Sequence, residues 1–464
     1  MLFQSAVFVW FLVLTLAAYW TFPRARLPLL AVANATFYVA AGWQNLSLFL
    51  AASLATYGIG RHVDGPRGRA WVALGITANV ANLAWFKYAG FLASNLPAWL
   101  PWGGLVPVLL PIGISFYTFQ HISYLVDRRQ RGLPNAPNYL HFWVYIAFFG
   151  HSIAGPIMRG HEFFPQIAAT PALRFDAERA RVGLELFLLG LAKKLLVADQ
   201  VVSLVDGLFG RVWTLGAQDA WLAATLFAFQ IYYDFSAYSD MAVGIGHMFG
   251  FTLTQNFRTP YVAAGPGEFW QRWHITLSAW IRDYVYIPLG GNRAGVARGQ
   301  LNLFIAMLAS GLWHGANWTF VLWGAYHGAL LLGQRGWRGL LGRLGWRPAG
   351  RAYHLLAVGA FFLLTVIGWV PFRAPGLEEA LWMLGSMAGF HGAGNPVGWR
   401  LGALVAGLML LHLGEYALRE RLAGFRALWR TRPPAVALGT AYALAACCLM
   451  GASDGVKAFI YFRF

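Results

Sequence analysis

Residues 299–334 read GQLNLFIAMLASGLWHGANWTFVLWGAYHGALLLGQ and place His314 between apolar flanks that extend over the thickness of a membrane. An ionisable side chain at such a depth is costly unless it faces a partner or a water-filled cavity, so it indicates a functional site. Gly311 and Gly315 would let another backbone approach closely. Asn317 lies one turn further along, where it could bond the imidazole or a substrate. His314 is therefore a candidate catalytic residue, with a satisfied core histidine as the alternative.

The composition around this segment is that of a membrane protein. Of 464 residues, 58% are hydrophobic and 11% are charged, and the mean hydropathy is +0.52, whereas soluble proteins carry about 25% charged residues. Runs near the roughly 20 residues needed to span occur at 2–20, 104–126, 182–206, 219–250, 299–334, 352–372, 401–418 and 436–453, and shorter runs at 27–41, 45–60, 70–86 and 139–157. The sequence predicts an all-α polytopic membrane protein with about 11–12 transmembrane helices plus re-entrant and interfacial helices.

The basic loops predict how the chain is oriented and divided. Arg24 and Arg26 follow the first apolar run, and because Lys and Arg in short loops stay on the cytoplasmic side, we expect the N-terminus outside. We expect 139–157 to dip in and return, which keeps the basic segment 127–181 cytoplasmic. One embedded domain is expected, with N-terminal helices in 1–103, a catalytic core in 104–334 and C-terminal helices in 335–464.

Several functional classes are excluded by the residues. The net charge at pH 7 is +17. The basic residues that produce it are scattered through loops and helix ends, so they form no basic face that would bind nucleic acid. GHSIAG at 150–155 lacks the spacing of a nucleophile elbow, and no P-loop or metal-binding H-E-x-x-H motif is present. Cys447 and Cys448 are adjacent, so spaced metal ligands are not available either. No metal site is expected.

Polar residues within other apolar segments remain as candidates. The segment 268–291, EFWQRWHITLSAWIRDYVYIPLGG, has aromatic residues at helical spacing and predicts an amphipathic helix in the membrane interface. Its His274 could be an interfacial hydrogen-bonding residue or a catalytic one. Asp234 and Asp240 lie about 120° apart on a helix, so they cannot form one paired-carboxylate face. Structural and catalytic readings of these carboxylates stay equally open.

A set of motifs in consistent order resembles a known family. The motifs are PIGISFYTFQ (111–120), AGPIMR (154–159), YDFSAYSDMAVGIG (233–246), NFRTPY (256–261), EFWQRWHITLSAWIRDYVYIPLGGNR (268–293), GLWHGANWTFVLWGAYHG (311–328) and FIYFRF (459–464). They resemble the membrane-bound O-acyltransferases, and most of all the bacterial alginate O-acetyltransferase subgroup. The resemblance is dense over 105–330 and returns in the tail.

The resemblance implies a fold and a set of functional residues. The family fold has two opposed funnels, with the acyl donor entering from the cytoplasm and the acceptor from the other side. The catalytic histidine of the family falls on His314 and a second important histidine on His274. Arg159 falls on a position that the family usually keeps basic. We expect substrate-binding roles for Arg159, Asp240, Asn256, Arg272, Trp313 and Asn317.

The function expected from the resemblance is O-acetylation of an exopolysaccharide such as alginate, in the bacterial inner membrane. Acetyl-CoA is the expected donor substrate, without a permanently bound cofactor, and a periplasmic acetyl-accepting or polysaccharide-acetylating protein is the expected partner. Acyl transfer needs removal of a hydroxyl proton, which a neutral imidazole performs well near neutral pH. We expect His314 to remove it from the acceptor or from a relay nucleophile, His274 and Asn317 to orient the acyl carbonyl, and Arg159 to help hold the phosphates of acetyl-CoA.

Two alternatives remain at this point. A non-enzymatic transporter or channel could use the intramembrane histidines and carboxylates to line a path, although the chain shows no internal repeat. The enzyme could also move D-alanyl or another acyl group to a cell-envelope polymer, a lipid or a protein.

Overall fold

The computed structural model describes residues 1–95, 110–293, 295–346, 348–391, 398–421, 424, 431–451 and 457–460. These residues form helices, turns and loops and contain no β-strand. The all-α architecture predicted from composition is therefore confirmed. The expected boundary between residues 103 and 104, the start of the run at 104–126 and residues 461–464 of the terminal motif lie outside the described residues.

The helices follow one another along the chain with short connections. The α-helices are α1 (Ala6–Thr21), α2 (Arg26–Val39), α3 (Trp43–Gly60), α4 (Gly68–Asn95), α5 (Ile114–Gln130), α6 (Tyr139–Ala147), α7 (Gly160–Ala169), α8 (Ala177–Ala192), α9 (Asp199–Phe209), α10 (Ala217–Met248), α11 (Pro266–Phe269), α12 (Ile275–Ile281), α13 (Val296–His314), α14 (Trp318–Arg343), α15 (Arg351–Arg373), α16 (Leu377–Met387), α17 (Trp399–Tyr416) and α18 (Pro434–Gly451). Short 3₁₀ turns cover Pro23–Ala25, Thr170–Ala172, Val212–Thr214 and Pro260–Val262, and π-helical turns cover Lys193–Ala198, Arg282–Tyr286 and Ala417–Arg421.

The chain forms two compact units. Unit 1 comprises Met1–Leu191 and Tyr238–Gln255, and unit 2 comprises Ala192–Ala237 and Asn256–Phe464. Both candidate catalytic histidines belong to unit 2. The three-part division expected from the sequence stays a prediction.

In unit 1, a buried arginine ties helix ends together. Arg26 is only 3% exposed, and its Nη1 donates to the carbonyl oxygens of Thr170 and Leu173 at 2.9 and 2.8 Å. Its guanidinium also stacks over Trp20, 4.7 Å from the ring centroid. Arg26 therefore packs inside unit 1. It is not the solvent-exposed loop residue on which the predicted orientation of the N-terminus depends. The outward N-terminus stays a prediction.

The segment at 139–157 does not form a membrane-length helix. Helix α6 has nine residues, which at 1.5 Å per residue is about half the thickness of the hydrocarbon core. The residues that follow, 148–155, form turns and an irregular stretch. This geometry favours a segment that enters and returns over one that crosses.

In unit 2, the apolar segment at 299–334 forms two helices joined by three residues. Helix α13 ends at His314 and α14 begins at Trp318. A Cβ added to Gly311 would lie 3.0 Å from Gly324 Cα, so these two glycines allow the helices to pack backbone to backbone. Gly315 lies against the ring of Phe320 instead. The close approach expected at Gly311 is confirmed, whereas at Gly315 the neighbour is a side chain.

The packing of this helix pair predicts a stability difference between two glycines of α14. A Cβ at Gly324 would lie 2.6 Å from Met307 O, whereas one at Gly333 meets nothing within 4 Å. We expect Gly324→Ala to lower the melting temperature of the detergent-solubilised protein, because overpacking costs about 1–3 kcal/mol. Gly333→Ala is the matched control and should be neutral or stabilising, since alanine favours helix by up to about 1 kcal/mol. Equal effects of the two changes would contradict the packing described.

A buried ion cluster lies elsewhere in unit 2. Lys194 Nζ lies 2.8 Å from Asp199 Oδ1 and 2.6 Å from Asp234 Oδ1, and all three side chains are buried. Ile460 N donates to Asp234 Oδ2 at 2.6 Å, and Lys457 Nζ donates to the carbonyl oxygen of Asp199 at 2.8 Å. Charges tolerate burial when they are paired and hydrogen-bonded in this way. These bonds favour the structural reading of Asp234.

Few helices qualify as complete spans by length and hydropathy. Within the described residues, Arg351–Arg373 and Trp399–Glu420 do so, and a third span results if the pair Ala6–Thr21 and Pro23–Val39, bent by 114°, is counted as one. This number is smaller than the predicted 11–12, because a helix enclosed by other helices can carry polar residues that the hydropathy criterion rejects. The higher number stays a prediction, as do the opposed funnels.

Candidate active site

The segment 268–291 is not the continuous helix that its aromatic spacing predicts. It contains the end of the four-residue helix α11, then a turn, then the seven-residue α12 and the π-helical turn Arg282–Tyr286. The break falls at His274, whose φ of 41° and ψ of 55° lie in the left-handed region. A non-glycine residue in that region is strained and is enriched at functional sites. The expectation of one continuous helix is therefore wrong, and the break falls at a candidate catalytic residue, whereas the interfacial location stays a prediction.

Asn256 fixes the orientation of the His274 ring. Oδ1 of Asn256 accepts hydrogen bonds from Thr276 N at 3.1 Å and from Thr276 Oγ1 at 3.0 Å, and it lies 3.2 Å from His274 Nδ1. Because a backbone N–H can only donate, this atom of Asn256 is the oxygen, and His274 Nδ1 carries a proton. In the neutral imidazole, Nε2 then has a lone pair and can accept a proton or a hydrogen bond.

The other end of the Asn256 amide is a buried donor. Nδ2 is buried and has no hydrogen-bond partner among the residues that the structure describes. A buried donor without an acceptor costs about 1–3 kcal/mol. The side chain thus combines an oxygen that positions His274 with a donor suited to a carbonyl oxygen. This geometry is compatible with the substrate-binding role expected for Asn256.

His314 occupies the last position of α13, inside an aromatic enclosure. Its side chain is 4% exposed. Its ring centroid lies 5.0 Å from that of Trp323 and 5.1 Å from that of Phe372, both in edge-to-face arrangement. Packed aromatic rings restrict rotation of the imidazole and exclude bulk water.

Trp313 is in ring contact with both histidines. Its centroid lies 6.0 Å from that of His274 and 5.0 Å from that of His314. Phe235 also packs edge-to-face on His274, with ring centroids 4.7 Å apart. Unit 2 therefore brings together His274, Asn256, Trp313 and His314, which the sequence places in three separate motifs.

Asn317 is engaged as a helix cap. Its Oδ1 accepts from Thr319 N at 3.1 Å, as the N-cap of α14, and its Nδ2 donates to the carbonyl oxygen of Pro375 at 3.0 Å. Both ends of the amide are thus committed to the hairpin and to the end of α15. These bonds favour a structural role for Asn317, and the expectation that it bonds the imidazole or a substrate stays a prediction.

Arg272 is likewise committed to neighbouring carboxylates. Nε donates to Glu268 Oε1 at 2.9 Å, and Nη1 donates to Glu420 Oε1 at 2.8 Å and to the carbonyl oxygen of Arg258 at 3.1 Å. Two carboxylates neutralise the guanidinium, so little attraction remains for a phosphate or another anion. These contacts favour a role for Arg272 as an anchor of the loop before His274, and its expected substrate-binding role stays a prediction.

Arg159 and Asp240 belong to unit 1. Arg159 is the N-cap of α7, where its backbone N donates to Glu162 Oε2 at 3.1 Å. Asp240 is partly buried on α10. Their substrate-binding roles stay predictions.

Sequence reasoning did not single out the residues that hold the two imidazoles in place. Thr276 fixes the Asn256 oxygen, and Phe235, Trp323 and Phe372 form the aromatic surroundings. Each lies in an apolar or aromatic stretch that resembles ordinary core. The strained backbone at His274 has no sequence signal, since positive φ is uncommon in any residue other than glycine.

The family model of MBOAT, the membrane-bound O-acyltransferase family, matches residues 66–370. This range includes both histidines, Asn256 and the α13–α14 pair. The chain belongs to the membrane-bound O-acyltransferase family. The protein is therefore an integral membrane enzyme that transfers acyl groups, and the transporter alternative is superseded.

Curated relatives of this membrane-bound O-acyltransferase cover most of its length. It is 39% identical over 442 residues to the probable alginate O-acetylase of Pseudomonas aeruginosa, over 90% of this chain and 82% of that protein. It is 35% identical over 397 residues to the peptidoglycan O-acetyltransferase of Helicobacter pylori, over 78% and 74%. Identity to the teichoic acid D-alanyltransferase of Bacillus subtilis is 24% over 271 residues, covering 56% and 68%.

Proposed function

We propose that this O-acyltransferase moves an acetyl group from acetyl-CoA to hydroxyl groups of a cell-envelope polysaccharide, with an exopolysaccharide such as alginate as the first candidate. The observation that carries the proposal is the 39% identity, over 90% of the chain, to a protein named for alginate O-acetylation. The teichoic acid D-alanyltransferase is more distant, at 24% over 56% of the chain. D-alanyl transfer is therefore the weaker candidate.

The chemistry requires one proton transfer and one exchange of bonds. The acceptor hydroxyl oxygen bonds to the thioester carbonyl carbon, and the bond from that carbon to sulfur breaks. His314 takes the hydroxyl proton and returns it to the sulfur of the leaving CoA. Its aromatic enclosure supports this role. When bulk water is excluded, the imidazole can contact the acceptor hydroxyl directly, and water cannot hydrolyse the thioester.

His274 and Asn256 have the remaining roles in the reaction. A neutral His274 presents a lone pair at Nε2, so it cannot donate to the acyl carbonyl from that atom. Since the single proton of the reacting hydroxyl goes to His314, we assign His274 to accept a hydrogen bond from a neighbouring hydroxyl of the acceptor sugar. Asn256 Nδ2, a buried donor, is then the group that orients the carbonyl and stabilises the negative charge that develops on its oxygen. The expectation that His274 orients the carbonyl is refined accordingly.

A second acceptor follows from a separate observation. The Helicobacter pylori relative, at 35% identity over 78% of this chain, is named for peptidoglycan O-acetylation. Alginate and peptidoglycan both present sugar hydroxyls outside the cytoplasmic membrane. The acetyl group reaches either polymer directly or through a periplasmic acetyl-handling protein.

The proposal includes a location and an orientation. We place the enzyme in the bacterial inner membrane, with acetyl-CoA at the cytoplasmic face and the N-terminus outside. Arg159 is proposed to contact the phosphates of the donor from the cytoplasmic side. The aromatic-rich composition and the apolar helices support membrane embedding.

Sealed vesicles test donor, acceptor and orientation together. Inverted membrane vesicles expose the cytoplasmic face, so acetyl-CoA labelled in the acetyl group is added outside, with alginate or peptidoglycan fragments enclosed. We expect release of CoA and appearance of label in the enclosed polymer, at least tenfold above vesicles carrying the His314→Ala variant. CoA release no higher than in those control vesicles would contradict acetyl transfer. Label in peptidoglycan but not in alginate would replace the first acceptor by the second.

A further inference from the structure

The end of α14 and the start of α15, both in unit 2, carry a concentrated positive charge. Residues 284–377 contain eight arginines and no lysine, aspartate or glutamate, and five of the arginines fall within 335–351. The four of these five that the structure describes are all exposed, and they are Arg335, Arg338, Arg343 and Arg351. Their side chains form no hydrogen bond or ion pair with the residues that the structure describes. We call the surface that they form the α14–α15 basic surface.

Other arginines of unit 2 differ from these four because carboxylates neutralise them. Arg373 Nη2 donates to Asp206 Oδ1 at 2.6 Å, and Arg282 Nε donates to Asp283 Oδ1 at 2.7 Å. A guanidinium paired in this way has little attraction left for a second anion. The α14–α15 basic surface has no such pairing among the described residues, so it attracts an anion from outside the chain.

The position of α15 places this surface at the boundary of the membrane. Helix α15 begins at Arg351 and is long and apolar enough to span a membrane, so its first residue lies near one membrane surface. Helix α14 ends at Arg343, only eight positions earlier. Its 26 residues extend for about 39 Å, which exceeds the roughly 30 Å of the hydrocarbon core. The last turns of α14 therefore lie at the level of the lipid headgroups.

Basic and apolar side chains occupy opposite faces of these last turns. At 3.6 residues per turn, Arg335, Arg338 and Arg343 fall within an arc of about 140°. Trp337 and Leu340 fall on the opposite side of the helix, and each is 47% exposed. A helix with tryptophan and leucine on one face and arginine on the other is typical of segments that lie among lipid headgroups. Tryptophan is also enriched at this level of the membrane.

We propose that the α14–α15 basic surface binds the headgroup of an anionic phospholipid. The guanidinium groups donate paired hydrogen bonds to the phosphate oxygens, while Trp337 and Leu340 contact the acyl chains of the surrounding lipid. A zwitterionic phospholipid also carries a phosphate, but its own ammonium group cancels the charge. The uncompensated charge of the arginines therefore selects lipids with a net negative headgroup.

The test measures the binding of two phospholipids to the purified full chain. Phosphatidylglycerol, which is anionic, and phosphatidylcholine, which is zwitterionic, are added to the protein in a neutral detergent, and bound lipid is counted by native mass spectrometry. We expect the wild type to bind phosphatidylglycerol at least tenfold more tightly. The triple variant Arg335→Gln/Arg338→Gln/Arg343→Gln should lose at least tenfold in affinity for phosphatidylglycerol, since each basic residue near a headgroup contributes about fivefold. Unchanged affinity in this variant would overturn the proposal.

Two further variants separate a local site from a general effect of charge or of folding. Arg61→Gln/Arg67→Gln/Arg69→Gln removes the same charge from the loop between α3 and α4, which also carries the exposed carboxylate of Asp64. It should keep the affinity for phosphatidylglycerol within threefold of the wild type. The corresponding triple lysine variant of α14 keeps the positive charge and should bind at least threefold more tightly than the triple glutamine variant. Equal losses in the two glutamine variants would refute a local site.

A soluble phosphate compound is the other source of the same chemistry. CoA at a saturating concentration is added to the complex with phosphatidylglycerol, and we expect the lipid to stay bound. The KM for acetyl-CoA in the triple glutamine variant of α14 should equal that of the wild type. Displacement of the lipid by CoA, together with a raised KM, would overturn the lipid assignment and make this surface part of the donor site. Since lipid binding is measured without turnover, its outcome does not depend on the proposed function.

Discussion

Replacing His314 with alanine is expected to lower acetyl transfer by about 10²–10⁴-fold, the range that a positioned general base contributes. The imidazole is enclosed by Trp323 and Phe372, so no bulk water can substitute for it easily. The measurement is kcat for CoA release from acetyl-CoA by purified protein, at matched concentrations of folded enzyme. Transfer within threefold of the wild type would remove His314 from the mechanism.

The control for this variant is another histidine of the same unit. His354 is exposed on α15, and His354→Ala should leave kcat unchanged. His314→Gln adds a second comparison, because glutamine fills the site and forms hydrogen bonds but does not take up a proton at neutral pH. If the glutamine variant retains full activity, His314 positions a reactant and does not act as the base.

Replacing Asn256 with leucine is expected to lower kcat by about 10²–10³-fold, the cost of losing one donor to a developing oxyanion. Leucine removes both the oxygen that fixes His274 and the buried Nδ2 donor. Without the Asn256 oxygen, the ring of His274 is no longer held in place, and this adds to the loss of kcat, as the wrong histidine tautomer does in hydrolase triads. The kcat and KM are measured separately, and the loss should fall mainly on kcat because the donor acts on the transition state.

A pair of variants separates the two tasks of Asn256. Asn256→Asp keeps an acceptor oxygen for Thr276 and His274 but lacks the Nδ2 donor, so it should also lose at least tenfold in kcat. Asn302→Leu is the matched control, since Asn302 is buried and its Nδ2 donates to the carbonyl oxygen of Gly291 at 3.0 Å. It should lower the melting temperature without a comparable loss of kcat. A fully active Asn256→Asp would show that the donor is dispensable.

The sequence predicts much of the helical framework because hydrophobic runs are local. The segment 299–334 combines apolar length with the small residue Gly311, and both the membrane helices and the close packing follow from that pattern. His314 is identified because burial makes an ionisable side chain costly wherever the run folds.

Residue roles are less predictable because they depend on partners far away in the chain. Arg272 resembles an anion-binding residue until Glu420, 148 positions later, is seen to neutralise it. Arg26 resembles a loop charge until the carbonyl oxygens of Thr170 and Leu173 are seen to accept from it. Asn317 looks like a neighbour of His314 on a continuous helix, but the turn at 315–317 redirects it to cap α14.

The helix break at His274 could not be predicted from the sequence, for a different reason. The spacing of Trp270, Trp273, Leu277 and Trp280 fits one helix face, so periodicity favours a helix throughout. The hydrogen bonds from the Thr276 side chain and backbone to Asn256 compete with that helix, and they stabilise the left-handed backbone at His274. Local propensity cannot reveal such competition, because Asn256 lies 20 residues earlier.

The ion cluster around Lys194 includes a residue that is added late in the biosynthesis of the chain. Asp234 receives a hydrogen bond from the backbone of Ile460, a residue 226 positions later, and ribosomes add about 5–20 residues per second. For roughly 10–45 s, the nascent chain carries Lys194, Asp199 and Asp234 without that bond. During this interval the three charges depend on one another or on water at the insertion site, and the hydrogen bond to Asp234 completes the cluster only after the ribosome has added Ile460.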